Sequence, residues 1–288
     1  MTSVDAALRD ATRQLIDSSE SAALDARLLL EHVLDVGTAW VVVHGRDALT
    51  DTAANRLQAL VDRRRTGEPV AYLTGHIGFW SLDLMVDARV LVPRPDTETL
   101  VEAALATLPG GQPIAVVDLG TGSGAIVLAL AHERPAWRMS ATDASTDALD
   151  CARANAQRLG LAHVDFAQGV WFEALKPGQR FDAILSNPPY IDADDAHLAA
   201  AALGCEPQAA LVSGDHGLAD LRILVSQAPL WLADAGWLLL EHGYDQAQTV
   251  ARMFIDEGYS EPRHWHDLGG HIRVTGAQWT HPGPIGDS

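Results

Sequence analysis

The sequence has few cysteines, few basic residues and no long apolar run. Its two cysteines, Cys151 and Cys205, lie far apart and fit neither a disulfide framework nor a zinc-binding spacing. No stretch approaches the roughly 18 apolar residues that a membrane-spanning helix needs, and the amino terminus carries acid and no apolar segment of signal-peptide length. These absences predict a cytoplasmic protein without a membrane partner, in which both cysteines are ordinary small apolar residues.

Basic residues are outnumbered by acidic ones. The chain has 20 lysines and arginines against 38 aspartates and glutamates, a formal net charge of −18. Binding to nucleic acid through many phosphates needs the opposite balance, so direct nucleic-acid binding is not expected. A basic protein or a positively charged ligand suits this charge, although acidity that only keeps the chain soluble is the simpler alternative.

The 288 residues, of which 48% are apolar, are enough for one large domain and a smaller one. Near the amino terminus, apolar residues recur at helical spacing over 4–17, 21–35 and 50–66. This pattern predicts a helical domain over residues 1–70. Its third helix carries three consecutive arginines, Arg63 to Arg65, which indicate either a solvated face or a docking point for an anionic surface.

Residues 71–92 change to aromatic and β-branched residues, with turn signals at Gly75 and Gly78, and predict a hairpin linker. Strand-like runs then alternate with helical stretches. The strand-like runs are 114–118, 138–143, 163–168, 181–186 and 236–241. The helical stretches are 123–133, 145–160, 216–233 and 245–257. This alternation predicts an α/β fold with a doubly wound sheet, in which helical crossovers join parallel strands.

The carboxyl-terminal part departs from that alternation. Residues 263–276 predict two closing strands without a helix between them. The sheet domain therefore extends over residues 93–280. The last residues, 281–288, are rich in proline and glycine and predict a flexible tail.

A glycine-rich loop follows the first strand of the predicted sheet. AVVDLGTGSGAIVLAL, residues 115–130, runs from a buried strand through Gly120, Gly122 and Gly124 into a helix. Ligands of wound sheets bind at such strand ends, and glycine lets the backbone approach them closely. The spacing differs from G-x-G-x-x-G and lacks the P-loop lysine, so a pyrophosphate is not favoured. Close packing of helix on strand is the alternative reason for the glycines.

Asp143 ends the next strand, where a carboxylate can accept hydrogen bonds from both hydroxyls of a ribose. It can also cap the helix that begins near Ser145. An adenosine that carries a sulfonium instead of a pyrophosphate suits an acidic chain with a glycine loop and no basic clamp. We therefore predict S-adenosylmethionine as the cofactor and S-adenosylhomocysteine as its product.

The stretch SNPPYI, residues 186–191, ends a further buried strand in a rigid turn. Pro188 and Pro189 lock the backbone, Asn187 offers one acceptor and two donors, and Tyr190 offers a flat face. Together they can hold a planar NH₂ group by its N–H bonds and stabilise positive charge that develops on the nitrogen during methylation, with no obligatory general base. A simple strand terminator is the alternative.

The motifs DLGTGSGAI, SNPPYI and VPRPDTE together resemble those of the glutamine N5-methyltransferases that modify peptide chain release factors. Further matches are GEPVAYLTG, EPQAALVSGDHGL, LLLEHGYDQ and DLGGHIRV, so the resemblance covers nearly the whole chain. It implies a helical substrate-recognition domain followed by a Rossmann-like class I methyltransferase domain. The implied reaction moves a methyl group from S-adenosylmethionine to the glutamine of the Gly-Gly-Gln motif in class 1 release factors.

Carried over by position, the resemblance also implies site residues. The implied cofactor-binding residues are Gly120, Thr121, Gly122, Ser123, Gly124, Asp143, Trp171 and Asn187. Trp171 would lie beside the adenine, with a core position as the alternative. The residues implied to bind the glutamine are Asn187, Pro188, Pro189 and Tyr190, of which Asn187, Pro188 and Tyr190 are the catalytic candidates. Pro93 to Glu98 would shape the entrance, unless Asp96 and Thr97 only start a helix.

Other readings stay open beside this one. Asn-Pro-Pro-Tyr is shared with adenine amino-methyltransferases and other amide methylators, so a ribosomal-protein glutamine or a nucleic-acid adenine is an alternative acceptor. A nicotinamide-dependent oxidoreductase and a non-methylating nucleotide-binding protein are further alternatives. Glu241 and Gln246 are interpreted as structural, with contact with ligands as the alternative. His264 and His266 share a strand face but have no third ligand at a suitable spacing, so no metal site is predicted.

Overall fold

The computed structural model describes residues 2–195, 198 and 203–281. The described residues divide into two compact units. One unit holds those within 1–76 and 196–206, and the other holds those within 77–195 and 207–288. The predicted flexible tail lies outside the described residues except for its first residue, His281. No helix in the described part of the chain is long and apolar enough to cross a lipid bilayer.

The first unit is helical. Its helices are α1 (Val4–Leu15), α2 (Ala22–Leu34), α3 (Thr38–Val43), α4 (Asp51–Arg65) and α5 (Val70–Thr74). The side chains of Ser3 and Thr50 cap α1 and α4 by accepting a backbone N–H in the first turn. Helices α1, α2 and α4 confirm the three predicted helices. Helices α3 and α5 were not predicted, because five or six residues are too few to show a helical period.

The three consecutive arginines at the end of α4 form ion pairs within the helical unit. Arg64 Nε lies 2.7 Å from Asp25 Oδ2, and both side chains are largely buried. Arg63 pairs with Glu68, and Arg65 lies 3.9 Å from Asp62. The expectation of a solvated face is therefore wrong for Arg64, which links α4 to α2. Arg63 and Arg65 are exposed but already paired, which leaves little free charge for an anionic partner.

From His76 onward the chain contains eleven strands and six helices in the described residues. The strands are β1 (His76–Phe79), β2 (Leu82–Met85), β3 (Ala115–Leu119), β4 (Arg138–Asp143), β5 (Asp165–Gln168), β6 (Phe181–Ser186), β7 (Ile191–Asp192), β8 (Val212–Ser213), β9 (Leu232–Glu241), β10 (Arg263–His266) and β11 (Ile272–Trp279). The helices are α6 (Glu98–Thr107), α7 (Ala125–Glu133), α8 (Thr146–Arg158), α9 (Gly214–Gly217), α10 (Ala219–Gln227) and α11 (Ala247–Asp256).

Seven of these strands form one sheet in the order β10-β11-β9-β6-β3-β4-β5. The pairs β3–β4, β4–β5, β3–β6 and β6–β9 are parallel, whereas β11 is antiparallel to both β9 and β10. The doubly wound sheet and the two closing strands are confirmed.

Successive residues of a strand point to opposite faces of the sheet. The apolar central strands therefore contribute side chains to the cores on both faces. Val116 and Leu185 belong to the core cluster on one face, packed with α6 and α7. Val117 and Ile184 belong to the cluster on the other face, packed with α10 and α11. The central strands are thus buried on both sides, which fixes the positions of the loops at their ends.

Several boundaries differ from the sequence predictions. The predicted helix 216–233 is shorter: Asp215 and His216 have left-handed backbone angles, so α10 begins only at Ala219. It ends before Pro229, and Leu232 already pairs with Phe181 in the sheet. The short pair β7–β8 was not predicted, and helix α6 was considered only as the alternative in which Asp96 and Thr97 start a helix.

The predicted linker 71–92 also differs in part. Residues up to Thr74 belong to helix α5, which ends at Gly75 with a φ of +79° and so confirms the turn there. Gly78 lies inside β1 rather than in a turn. The chain instead reverses at Trp80, whose φ is +56°, before β2 begins. The two strands pair as a small separate sheet.

Candidate active site

A cavity opens where the strand order of the large sheet reverses. From β3 the chain runs outward to β4 and β5 and then returns to β6 on the other side of β3. Ligands of wound sheets bind at the carboxyl ends of strands at such a reversal. The cavity has a volume of about 390 Å³. Residues predicted from the sequence that line it are Gly120, Gly122, Asp143, Trp171, Asn187 and Pro189.

Three left-handed glycines give the loop after β3 its shape, with φ values of +76°, +56° and +86° at Gly120, Gly122 and Gly124. A Cβ on Gly120 would lie 3.2 Å from the Trp171 ring, whereas a Cβ on Gly122 would meet no atom within 4 Å. At Gly124, the N-cap of α7, a Cβ would lie 2.9 Å from Leu128 of the same helix and 3.3 Å from Ala152 of α8. Gly120 and Gly122 therefore form cavity wall, and Gly124 allows the helix to pack closely.

The two polar residues between the glycines support the loop from behind. Thr121 Oγ1 donates a hydrogen bond to Asp118 Oδ2 at 2.6 Å. The Ser123 carbonyl accepts from Asn155 Nδ2 at 3.0 Å, and Asn155 also binds the backbone of Met85. Both polar side chains are buried. The cofactor contact expected of Thr121 and Ser123 stays a prediction.

Asp143 ends β4 with its carboxylate at the cavity. Oδ2 accepts from the Gly122 N–H at 2.8 Å, and Oδ1 accepts from the Ser145 N–H at 2.9 Å. Each oxygen keeps a further lone pair, so a ribose can still donate to it. Helix α8 is capped by Ser145, whose Oγ accepts from the Ala148 N–H. Asp143 therefore holds the glycine loop in place, whereas Ser145 caps helix α8.

Asp118, within β3, is a buried acid that was not predicted as a site residue. Its side chain is fully buried, and Oδ1 has no hydrogen-bond partner among the described residues. Burial raises the pKa of this carboxyl to about 7, with a further contribution from the charge of Asp143. The sequence feature that could have indicated Asp118 is a single acid in the otherwise apolar strand AVVDL.

The Trp171 ring forms another wall of the cavity and also packs against one core cluster. Its Nε1–H donates to Asp220 Oδ1 at 3.2 Å, and Asp220 Oδ2 accepts from Ser213 Oγ at 2.6 Å. The ring therefore has a fixed orientation. The two alternatives considered for Trp171, a place at the site and a place in the core, therefore both hold for the same side chain. Its contact with adenine stays a prediction. Asp220 lines the cavity and was not predicted.

The Asn-Pro-Pro-Tyr turn leaves the sheet directly beside the glycine loop. Ser186 Oγ donates to the Leu119 carbonyl at 2.7 Å and so ties the end of β6 to the end of β3. Asn187 Nδ2 donates to Thr97 Oγ1 at 3.1 Å, which leaves the amide oxygen on the opposite side of the group. The turn thus places an oriented amide at the cavity wall. Thr97 lies just before α6, so the helix-starting role considered for it is compatible with this contact.

Tyr190 is held at both its ends. The hydroxyl donates to Glu241 Oε1 at 3.4 Å, and the backbone carbonyl accepts from Gln246 Nε2 at 3.1 Å. Burial, followed by the charge of Glu241, raises the pKa of this hydroxyl above its usual value, so it is a neutral donor. Gly217, with a φ of +81°, approaches so closely that a Cβ there would collide with the Tyr190 carbonyl. The ring packs against the core, and its stacking on substrate stays a prediction.

Glu241 reaches this turn because β9 lies next to β6, with Leu240 in register with Ser186. Its side chain is 1% exposed. Burial raises the pKa of the Glu241 carboxyl to about 7, while the Thr97 hydroxyl and the Arg273 guanidinium oppose the rise. The structural role considered for Glu241 and Gln246 thus concerns the Asn-Pro-Pro-Tyr turn itself.

Two further stretches of cavity wall were not predicted. Arg89 to Leu91 come from the segment after β2, and Pro207, Ala209 and Ala210 come from the EPQAAL motif. Pro188 and Tyr190 are not part of the cavity lining. In the described residues, no group of three histidine, cysteine, aspartate or glutamate side chains could hold a metal ion. His264 binds Thr275 Oγ1, which also contacts the buried His242.

Known proteins resemble the chain over most of its length. Family models match as a PrmC N-terminal domain over residues 6–75 and as a Methyltransferase small domain over residues 96–216. The release factor glutamine methyltransferase of Escherichia coli is 48% identical over 268 residues, which are 93% of this chain and 96% of that protein. The Salmonella typhimurium protein of the same name is 46% identical over 273 residues, with 95% and 98% covered.

A solved methyltransferase from Pyrococcus furiosus shares the fold, with a TM-score of 0.53 at 19% identity over 79% of this chain and 99% of that one. The wound sheet, with a glycine loop and a cavity at its reversal point, is that of a Rossmann-like class I methyltransferase. The chain belongs to the release factor glutamine methyltransferase family. The predicted fold class and enzyme class are confirmed.

Proposed function

We propose that the chain transfers a methyl group from S-adenosylmethionine to the side-chain amide nitrogen of the glutamine in the Gly-Gly-Gln motif of class 1 release factors. The observation that carries the proposal is that Asn187 and the glycine loop line one cavity. Family membership supports the same reaction, because the relatives carry the name release factor glutamine methyltransferase.

The charge of the cavity supports a sulfonium cofactor over a dinucleotide. Asp143 and Asp220 line the cavity, and the arginine that lines it, Arg89, has its guanidinium 2.7 Å from Asp87 Oδ2. A pyrophosphate would meet two acids and a paired arginine, whereas a sulfonium cation would meet favourable charge. The open space beside Gly122 leaves room for the cofactor. Asp143 would accept hydrogen bonds from its ribose hydroxyls.

S-adenosylmethionine, when bound, supplies an electrophilic methyl group. The chain's own residues orient the acceptor. The Asn187 oxygen and the Pro188 carbonyl would each accept a hydrogen bond from one N–H of the glutamine amide. These two bonds would hold the nitrogen in place and stabilise the positive charge that develops on it. Because the turn is rigid before substrate arrives, this stabilisation needs little reorganisation. The proton leaves after methylation, so no general base is required in the transition state.

Two features support a protein acceptor. The helical unit matches a PrmC N-terminal domain, and the net charge of −18 disfavours nucleic acid. We propose that the helical unit recognises the release factor and that the turn binds its glutamine. Adenine in nucleic acid and glutamine in a ribosomal protein are the acceptors to be tested against it.

Transfer of labelled methyl from S-adenosylmethionine tests the proposal. The purified chain is incubated with a class 1 release factor, with the same factor carrying glutamate in place of the motif glutamine, with ribosomal proteins and with DNA. We expect label on the unaltered release factor alone, located at the motif glutamine by mass spectrometry. Label on DNA or on ribosomal proteins, with none on the release factor, would replace the proposed acceptor.

A further inference from the structure

The indole ring of Trp171 lies between two walls of the cavity. Its benzene edge faces the glycine loop, because a Cβ on Gly120 would lie 3.2 Å from Cζ3 and 3.7 Å from Cη2. Its other edge carries Nε1, which donates to Asp220 Oδ1 at 3.2 Å, in the first turn of α10. The ring is therefore held between the loop after β3 and the start of α10.

The backbone of Trp171 has an unfavourable conformation. Its φ is +49°, in the left-handed region that a bulky residue rarely adopts. Such a conformation costs free energy and persists only where the surroundings hold it. Thr142 Oγ1 donates to the Trp171 carbonyl at 3.3 Å, and Asp220 accepts from the ring. The position of this cavity wall thus depends on contacts beyond the residue's immediate neighbours.

Asp220 is itself held by Ser213. Its Oδ2 accepts from Ser213 Oγ at 2.6 Å, and its backbone N–H donates to the same Oγ at 3.1 Å. Ser213 is buried and ends β8, which pairs with β7 directly after the Asn-Pro-Pro-Tyr turn. The carboxylate therefore has a defined direction, with Oδ1 aimed at the indole.

The place of Asp220 in a helix offers a simpler explanation, because an acid in the first turn stabilises a helix. That effect needs only a negative charge near the amino terminus of the helix, and an exposed side chain supplies it. Asp220 is instead partly buried, lines the cavity and uses both oxygens for side-chain hydrogen bonds. The helix effect alone therefore does not explain where its carboxylate points.

We propose that Asp220 is the positioning residue that holds the Trp171 ring as a wall of the cofactor site, and that cofactor affinity depends on this hydrogen bond. The inference rests on the proposed function, which places S-adenosylmethionine in this cavity. A ring without its acceptor could turn into the cavity or away from it, and ordering it would cost free energy whenever the cofactor binds. A ring that is already fixed avoids that cost.

The affinity for S-adenosylhomocysteine, measured by calorimetry, tests the inference. Asp220→Ala should weaken binding about tenfold, because the indole loses its acceptor. Asp220→Asn keeps an oxygen for the indole and should recover most of the affinity. Asp182→Ala is the matched control and should bind like the wild type. Asp182 is also partly buried, but its Oδ2 accepts from the Ala115 N–H at the start of β3, the end of that strand away from the cavity.

A double-mutant cycle shows whether Asp220 acts through the ring. Trp171→Phe removes the N–H and part of the ring, and should weaken binding about 20-fold. The variant with both Trp171→Phe and Asp220→Ala loses the same hydrogen bond only once, so its loss should also be about 20-fold. Independent roles of the two side chains would instead give the product of the single losses, about 200-fold.

The indole also supplies a measurement that needs no cofactor. The NMR signal of the Trp171 Nε1–H is identified as the one that is missing in Trp171→Phe. In Asp220→Ala this signal should change its chemical shift and exchange faster with solvent, because the N–H loses its acceptor. In Asp182→Ala it should stay in place.

Two results would overturn the inference alone: a loss in the double variant equal to the product of the single losses, or an indole signal that Asp220→Ala leaves unchanged. The wild type is measured in the same series. If it binds no S-adenosylhomocysteine, the proposed function fails and the inference fails with it, so the two failures are told apart by the wild-type affinity.

Discussion

The two neighbouring strand ends at the centre of the site are built in different ways. After β3, the glycine loop is held by contacts that are close in sequence, such as Thr121 with Asp118 three positions away and Gly122 with Asp143 twenty-one positions away. After β6, the turn is held from far away: Asn187 by Thr97 at a separation of 90 residues, and Tyr190 by Glu241 at 51. The glycine loop is thus held mainly by residues nearer in sequence, and the Asn-Pro-Pro-Tyr turn by residues far away along the chain.

The largest effect is expected from removing the acceptor at the end of β6. Asn187→Ala should lower kcat at least about 100-fold, because one preorganised contact to the developing charge is lost. Single-turnover rates at saturating cofactor measure this directly. The thermal midpoint and the cofactor affinity serve as controls and should stay near the wild type. An undiminished single-turnover rate would remove Asn187 from the catalytic machinery.

A buried carboxyl lies near each of these strand ends, Asp118 within β3 and Glu241 at the end of β9 beside β6, and the pH dependence of stability compares the two. The folded-state pKa of Asp118 is raised from its ordinary value to about 7. Between those two pH values the folded state binds more protons than the unfolded state, so the free energy of unfolding falls as pH rises. Asp118→Asn removes this loss. Relative to the wild type, the variant should gain about 2 kcal/mol of unfolding free energy from pH 5 to 8, measured by urea denaturation.

Glu241→Gln should show a gain in the same direction, since burial raises the pKa of Glu241 to about 7 as well. Two variants whose stability relative to the wild type does not change with pH would mean that neither carboxyl titrates in this range. A change in one alone would show that the two strand ends differ in how they tolerate a buried charge.

A side chain on the glycine loop should affect the cofactor side of the comparison. Gly120 has a φ of +76°, and a Cβ there would lie 3.2 Å from the Trp171 ring. Gly120→Ala should therefore weaken binding of S-adenosylhomocysteine about tenfold, through backbone strain and displacement of the ring. Calorimetry measures the affinity. Because the turn after β6 is untouched, kcat at saturating cofactor should change much less, and an equal loss in kcat would contradict the separation of the two ends.

The smallest effect is expected at Tyr190. Its hydroxyl makes a long bond of 3.4 Å to Glu241, while its backbone carbonyl is held independently by Gln246. Tyr190→Phe should lower kcat only about two- to fivefold, because the ring and the backbone anchor both remain. Steady-state kinetics with the release factor check this. A loss as large as that of Asn187→Ala would mean that the hydroxyl, and not the turn, carries the function.

The same contrast explains what could be predicted from the sequence. The glycine loop, Asp143 and the Asn-Pro-Pro-Tyr turn were predicted because each is a local pattern at the end of an apolar run, and a wound sheet brings strand ends together. The loop conformation follows from where glycine is required, at Gly120 and Gly122. Such features depend on a few residues and can be recognised without knowing the rest of the fold.

The supports of the turn could not be predicted in the same way. Thr97 resembled a helix start and Glu241 resembled the polar end of a strand, and each description is locally correct. Their contacts arise because β9 packs beside β6 and because the segment before α6 approaches the turn. The wall formed by Pro207, Ala209 and Ala210 was missed for a similar reason, since these three residues carry no polar chemistry that would indicate a site.

A crystal structure with S-adenosylhomocysteine and a release factor domain bound together would test most directly whether the two strand ends meet in one reaction. We expect the thioether in the cavity beside Gly122, and the motif glutamine with its amide nitrogen about 3 Å from Asn187 Oδ1 and facing the sulfur. A glutamine bound away from Asn187, or a nitrogen that meets the NH₂ end of that amide, would contradict the proposed reaction.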